Sequence, residues 1–183
     1  MTQSDKRSQF KAKLLRPAKS GIDTPWAFII LPKIVSEKLP RRGRTTVDGT
    51  INGQHFQATL EPDGKLSHWL EVTKKLLKAA NADIGDIATF EIIPVEQEPD
   101  PKIPSDLRDA LAASPAMRAA WDETTTIARL DWIHWITSAK QPKTRVQRIS
   151  NMCDMLASGK RRVCCFDPSG YYSKAFNAPK AAD

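Results

Sequence analysis

Arg145 and Arg148 stand three residues apart, with Lys140 and Lys143 just before them. On a helix that spacing projects both guanidinium groups from neighbouring positions. Such a cluster can grip phosphate or carboxylate through paired, charge-assisted hydrogen bonds. The same residues also suit a structural role. Arg145 or Arg148 can pair with Asp122, Glu123 or Asp131 across packed helices, and Thr144 can satisfy backbone amides. Structure carries the greater weight of the two readings. Trp132 and Trp135, close by, are read as core residues before they are read as a platform for stacked bases. Arg42-Gly43-Arg44 is a second, smaller basic turn, read as a strand entrance before a phosphate grip.

Other chemistry is poorly provided for. His55, His68 and His134 form no HExxH pattern and no Cys/His zinc spacing, so each reads as a surface or hydrogen-bonded histidine. No Gly-rich phosphate loop, Walker lysine or GxSxG elbow occurs. Asp83 and Asp86 flank a turn, where carboxylates cap backbone amides. Three cysteines, two of them the adjacent Cys164 and Cys165, make no disulfide framework, and reduced thiols are expected. No catalytic residue, metal site or cofactor is predicted, and the chain reads as a binding protein before an enzyme.

Charge is unevenly placed along the 183 residues. The net +7 arises from two basic segments, Lys6 to Lys19 and Lys140 to Arg162, each carrying +6, on a background of −5. Basic segments of this kind suit a polyanion, nucleic acid included, or serve simply as a solvated face. The longest apolar run, Trp26 to Leu31, has six residues, whereas a spanning helix needs ~20, so no membrane insertion is expected. The polar stretch Met1 to Gln9 lacks a secretory signal, which points to the cytoplasm.

Pro94, Pro99, Pro101 and Pro104 mark a stiff linker between halves of different texture. The first half reads as β. Phe10, Ala12 and Leu14 alternate with polar residues. Trp26 to Leu31 reads as a buried strand, and Lys33 to Leu39 as a short helix. Val47 to Ile51 and Gln54 to Leu60 flank Asn52-Gly53, a hairpin signal. Leu66 to Val72 and Ile87 to Ile93 complete the strands, with a short helix around Leu76 to Ala80 and Asn81 near its C-cap. About six short strands with tight turns favour a small closed barrel, because closure removes unpaired edges.

The second half reads as α. Ser105 is placed as the cap of a helix through Ala113, and Pro115 starts a second one. A third spans Thr125 to Ala139, with Ile127, Leu130, Ile133 and Ile136 as its apolar stripe and the tryptophans beside it. The fourth starts at Pro142, turns Val146, Ile149, Met152 or Cys153, and Leu156 inward, and stops at Gly159. The predicted class is therefore α+β, a small closed β-barrel followed by a helical bundle. Its parts are a barrel at 8–94, a linker at 95–104, a helical domain at 105–162 and a tail at 163–183.

Trp135-Ile136, Ala139-Lys140, Pro142, Thr144-Arg145, Arg148-Ile149, Leu156 and Gly159 resemble the pattern of the YdeI/OmpD-associated family, also called bacteriocin-protection proteins. Pro104 to Leu107 and Ala110-Leu111 fit its opening helix. Pro25-Trp26-Ala27, Leu31-Pro32, Arg42-Gly43-Arg44, Val47, Gly49 to Gly53, Phe56 and Gly85-Asp86 resemble the domain of unknown function 1905, which often precedes it. The resemblance implies a bacterial protein with a small barrel, a helical module and a role in stress or bacteriocin protection. It implies no reaction and no catalytic residues. The candidate ligand- or partner-binding residues are Trp26, Arg42, Arg44, Trp135, Lys140, Lys143, Thr144, Arg145 and Arg148. The expected partner is an unidentified protein or an anionic ligand, with nucleic acid as one form of it. The alternative is a small-molecule site or unrecognised enzyme with its pocket between barrel and helical domain.

Overall fold

The structure is a computed structural model that describes residues 6–18, 26–163 and 176–182. Cys164, Cys165, Tyr171 and Tyr172 lie outside the described residues. The chain divides into two compact units. One is built by residues up to Gln97 and from Phe176 onward, the other by the stretch between.

The first unit holds strands β1 (Ser8–Lys13), β2 (Ala27–Ile30), β3 (Thr45–Ile51), β4 (Gln54–Pro62), β5 (His68–Val72) and β6 (Ile87–Pro94). Helices α1 (Lys33–Ser36) and α2 (Lys74–Ala79) interrupt them. Pairing is antiparallel throughout, in the order β1-β6-β3-β4-β5-β2. The two edge strands nearly meet. Just past β1, Leu15 exchanges two backbone hydrogen bonds of 2.9 Å with Phe28 of β2. The result is a nearly closed six-stranded barrel, and the apolar alternation points into it. Phe10, Val47, Ile51, Ala88, Phe90 and Ile92 fill the interior, with Phe10 stacked on Phe90 directly across the ladder at 5.5 Å. Burying such an aromatic ring is worth about 1.5–3 kcal/mol relative to exposure.

Turn chemistry sets the register. Asn52 and Gly53 both adopt positive φ, 48° and 84°, which matches the twist of a two-residue hairpin. Asn52 also accepts the Thr89 amide on its side-chain oxygen at 3.0 Å, tying the hairpin tip to β6. Gly49 meets β6 so closely that a Cβ there would lie 2.4 Å from the Glu91 carbonyl oxygen, so no larger residue fits without moving backbone.

Two expectations for this unit need correction. The strand expected from Leu66 begins only at His68. The Asp63 carboxylate accepts the amides of Lys65 (2.7 Å) and Ser67 (2.8 Å), which holds this loop out of the ladder and leaves Leu66 70% exposed. The helix expected through Leu39 keeps only Lys33–Ser36, continuing as turns toward Pro40. A further feature has no precedent in the sequence reading. The chain returns at its far end: the Ala18 amide donates to Lys180 O (2.8 Å), Ala182 to Arg16 O (2.7 Å) and Ala178 to Asp63 O (3.3 Å). Residues 176–182 thus strap the barrel.

The second unit holds α3 (Ser105–Ala112), α4 (Pro115–Asp122), α5 (Thr126–Thr137) and α6 (Pro142–Ala157). Helix α6 packs against each of the other three. Leu107, Leu111, Trp121, Ala128, Trp132, Trp135, Ile136, Ile149, Met152 and Leu156 are buried. Ser114 and Thr125 cap α4 and α5, accepting the amides of Met117 (3.4 Å) and Ala128 (3.2 Å). Ser105 does not cap α3. Pro104 occupies that position, and the Asp106 carboxylate takes the Leu107 amide instead. The stripe of α5 is rotated from the expected one. Its buried residues are Ala128, Trp132, Trp135 and Ile136, while Ile127, Leu130 and Ile133 are half-buried. The larger apolar area of the indoles decides which face turns inward. Val146 is 68% exposed, so the buried stripe of α6 begins one turn later, at Ile149. Gly159 ends the helical stretch with φ +86°, as expected.

Candidate functional site

The basic run from Lys140 to Arg148 folds into a brace. Arg145 lies in the second turn of α6 and donates from Nε to Asp106 Oδ2 (2.6 Å) and from Nη2 to Asp106 Oδ1 (2.9 Å). This two-pronged geometry ties α6 to α3. The hydrogen bond from Arg145 holds the Asp106 carboxyl below the usual carboxylate range, and that same bond raises the guanidinium pKa. Arg148, one turn on, donates from Nη1 to the Trp135 carbonyl oxygen and to Ser138 Oγ (3.1 Å). Its guanidinium also lies 5.3 Å from the Trp135 ring centroid. Arg148 therefore joins α6 to the last turn of α5, where helix carbonyls lack internal donors. Trp135 is itself buried edge-on against Trp132 at 5.9 Å.

The partner of Arg145 is not one of those expected. Asp122 pairs with Arg118 (3.0 Å) and Glu123 with Arg161 (2.8 Å), while Asp106, 39 positions upstream, takes Arg145. A carboxylate at the start of a helix, in a chain rich in nearby arginine, is the only sequence signal for it. Lys140, Lys143 and Thr144 are exposed at the turn before α6 and in its first turn. Asp100, inside the proline-rich stretch, accepts from Arg129 Nη1 (3.2 Å). Cys153 is half-buried, and burial pushes its thiol up, which leaves little thiolate for nucleophilic chemistry.

In the barrel, Arg42 is exposed, Trp26 half-buried and Arg44 only 3% exposed. Arg44 Nε pairs with Glu61 (2.8 Å to Oε2), and its guanidinium lies 5.1 Å from the Phe176 ring centroid. The strap thus covers a buried charge that Glu61 compensates. Beside it, Ser36 Oγ lies 2.7 Å from His68 Nδ1, and His68 Nε2 lies 3.0 Å from the Gly43 carbonyl oxygen. A carbonyl can only accept, so Nε2 carries the proton and Ser36 donates to Nδ1. Burial is the main cause that lowers the His68 pKa, so the ring is neutral near pH 7. A serine donating to a neutral imidazole is how a nucleophile is activated, but here both side chains are buried, with His68 1% exposed. The pair braces α1, the Gly43 turn and β5.

One concave feature of the barrel was missed. A cleft of about 530 Å³ is lined by Arg16, Lys74, Leu77, Lys78, Asn81, Ala82, Asp83 and Ile84. Its sequence signals were Lys74 and Lys78, four residues apart on a short helix, and the place of Arg16 in the first basic segment.

Comparison with known families agrees with the resemblance carried by the sequence. Residues 10–92 match the model of a domain of unknown function 1905, and residues 100–159 match the model described as bacteriocin-protection, YdeI or OmpD-associated. The two matches follow one another in that order along the chain. No curated protein matches the chain. Among the described residues, no helix is long and apolar enough to cross a membrane.

Two outcomes follow from the braces. Replacing Arg148 by Ala should cost about 1.5–3 kcal/mol, the range for hydrogen bonds from a charged donor, whereas Lys143→Ala should stay within ~0.5 kcal/mol. Urea unfolding followed by tryptophan fluorescence checks both, and equal stabilities of the two variants would refute the clamp. His68, with its pKa lowered by folding, binds fewer protons folded than unfolded. Its contribution is therefore complete above about pH 6.5 and fades as pH falls toward the folded value. The stability difference between wild type and His68→Gln should grow as pH rises toward about 7 and then level off. A difference independent of pH would show that the ring is not held neutral.

Proposed function

We propose that the chain is a non-catalytic binding protein whose helical domain presents a rigid cationic turn to an acidic protein partner. The observation that supports this reading is the division of labour within the basic run. Arg145 and Arg148 turn inward and hold helices together, while Lys140, Lys143 and Val146 face outward. A patch mixing ammonium groups with an exposed valine suits a protein surface, where an apolar contact adds to charge complementarity. Tracking a nucleic-acid backbone asks for a row of free cations, and the arginines of this run are already engaged.

The domain organisation that goes with this reading is a barrel at 8–94, a linker at 95–104, a helical domain at 105–162 acting as one bundle, and a tail at 163–183. The cytoplasm of a bacterium is the proposed place. The proposed setting is bacteriocin protection, after the family that residues 100–159 match, with protection arising from occupancy of a partner and not from turnover.

The test is fluorescence anisotropy with labelled polyglutamate and with a short DNA duplex, at low and moderate salt. Polyglutamate should bind at low salt, and the double variant Lys140→Glu/Lys143→Glu should weaken binding by roughly tenfold without changing the melting temperature. Undiminished binding by that variant would overturn the assignment of this surface. Tighter binding of the duplex, falling steeply with salt, would move the partner to the nucleic-acid class. Turnover abolished by a single side-chain change would overturn the non-catalytic reading.

A further inference from the structure

We infer that the cleft beside α2 is a binding site for a small phosphomonoester with an apolar portion, independent of the helical domain's proposed partner. Its lining divides by chemistry. Among the described lining residues, Arg16, Lys74 and Lys78 supply three cations and Asp83 one anion, a net charge of +2 that matches a phosphate dianion. Leu77 and Ala82 are buried and Ile84 half-buried, giving an apolar floor. Asn81 and Asp83 add polar groups able to meet a hydroxyl. A volume of about 530 Å³ falls in the range of small-molecule sites.

The cations of the cleft differ from the arginines that tie elements together. Elsewhere Arg7, Arg44, Arg118, Arg129, Arg145 and Arg161 each pair with a carboxylate. Arg16, Lys74 and Lys78 form no ion pair with any described residue, although Asp83 lines the same cleft. Three like charges gathered without a carboxylate partner among the described residues raise the local potential toward an anion. Arg16 adds a planar donor fork that fits two phosphate oxygens, and the lysines on adjacent turns of one helix face add two point charges.

The walls are held in place before any ligand arrives. Helix α2 ends in a hydrogen-bonded reversal, with the Asn81 amide donating to Lys78 O (3.2 Å), the Ala82 amide donating to Leu77 O (3.0 Å), and Asn81 at φ 47°. The next loop is fixed to the end of β1. The Gly85 amide donates to Leu14 O (2.7 Å), Leu14 to Asp86 O (2.9 Å), and the Asp83 amide to the Asp86 carboxylate (2.8 Å). Arg16 follows the Leu15–Phe28 closure, and its carbonyl is bonded to Ala182 of the strap. A site whose backbone is already ordered loses little entropy on binding.

The test uses the full chain with phenyl phosphate, inorganic phosphate and phenyl sulfate as probes, followed by amide chemical shifts and calorimetry. Phenyl phosphate should bind more tightly than inorganic phosphate, because the ring covers the floor. It should also bind more tightly than phenyl sulfate, which has the same ring with one negative charge. Shifts should concentrate at Arg16 and at residues 74–84. Lys74→Ala/Lys78→Ala should weaken phenyl phosphate roughly tenfold or more, as expected for lost charge-assisted bonds, with an unchanged melting temperature. Arg16→Gln should do the same while leaving the strap's backbone bond in place. Absence of saturable binding, shifts centred away from the cleft, or full affinity in both variants would overturn the proposal. Equal affinity for phenyl sulfate would overturn the dianion assignment.

Discussion

An antiparallel sheet with two open edges exposes unpaired amides and carbonyls, and removing those edges is the constraint on which the barrel depends. The strand order leaves β1 and β2 as the edges, and the paired hydrogen bonds between Leu15 and Phe28 bring them together. Much else follows from that seam. Closure encloses Phe10, Phe90, Ile51 and Ile92 on all sides, where a flat sheet would wet one face. It fixes the chain at Arg16, one residue beyond the contact, where that residue forms a wall of the cleft. The strap crosses the same segment, pairing with Arg16 and Ala18, so the backbone past the seam is satisfied by the far end of the chain.

Charge is used in two ways. Arg44 is buried against Glu61 and capped by Phe176, and Arg145 and Arg148 fasten α6 to α3 and α5. In these places the guanidinium serves as a structural tie, since its fixed fork can satisfy several acceptors at once. The lysines at the α5–α6 turn and the three cations at the cleft face solvent. A high net charge therefore says little by itself about a partner. Where exposed cations gather beside an apolar floor says more.

Features whose cause is local were legible in the sequence. Asn52-Gly53, Asn81 and Gly159 take positive φ because Asn and Gly tolerate it, and Pro115 and Pro142 start helices because a first-turn residue needs no amide donor. The strands, their alternation and the change of texture after Pro94 follow from periodicity. What escaped depends on distant residues. Periodicity cannot say which carboxylate Arg145 meets, and Asp106 is 39 positions away. Arg42 and Arg44 look alike in sequence, but Arg42 lies exposed in the turn before β3, whereas Arg44 is buried against Glu61. On α5 the isoleucine spacing is helical, yet Trp132 and Trp135 share the inner face with Ile136, while Ile127, Leu130 and Ile133 stay half-buried. The cleft combines Arg16 with residues some sixty positions later, which no single window contains.

Closure of the barrel is the claim from which the cleft and the strap both derive, and amide hydrogen exchange on the full chain tests it directly. If the seam is formed, the amides of Leu15 and Phe28 exchange as slowly as those of the central strand β3, near the limit set by global unfolding. If they exchange as fast as exposed loop amides while β3 stays protected, the sheet is open between β1 and β2, and the account of the cleft falls with it.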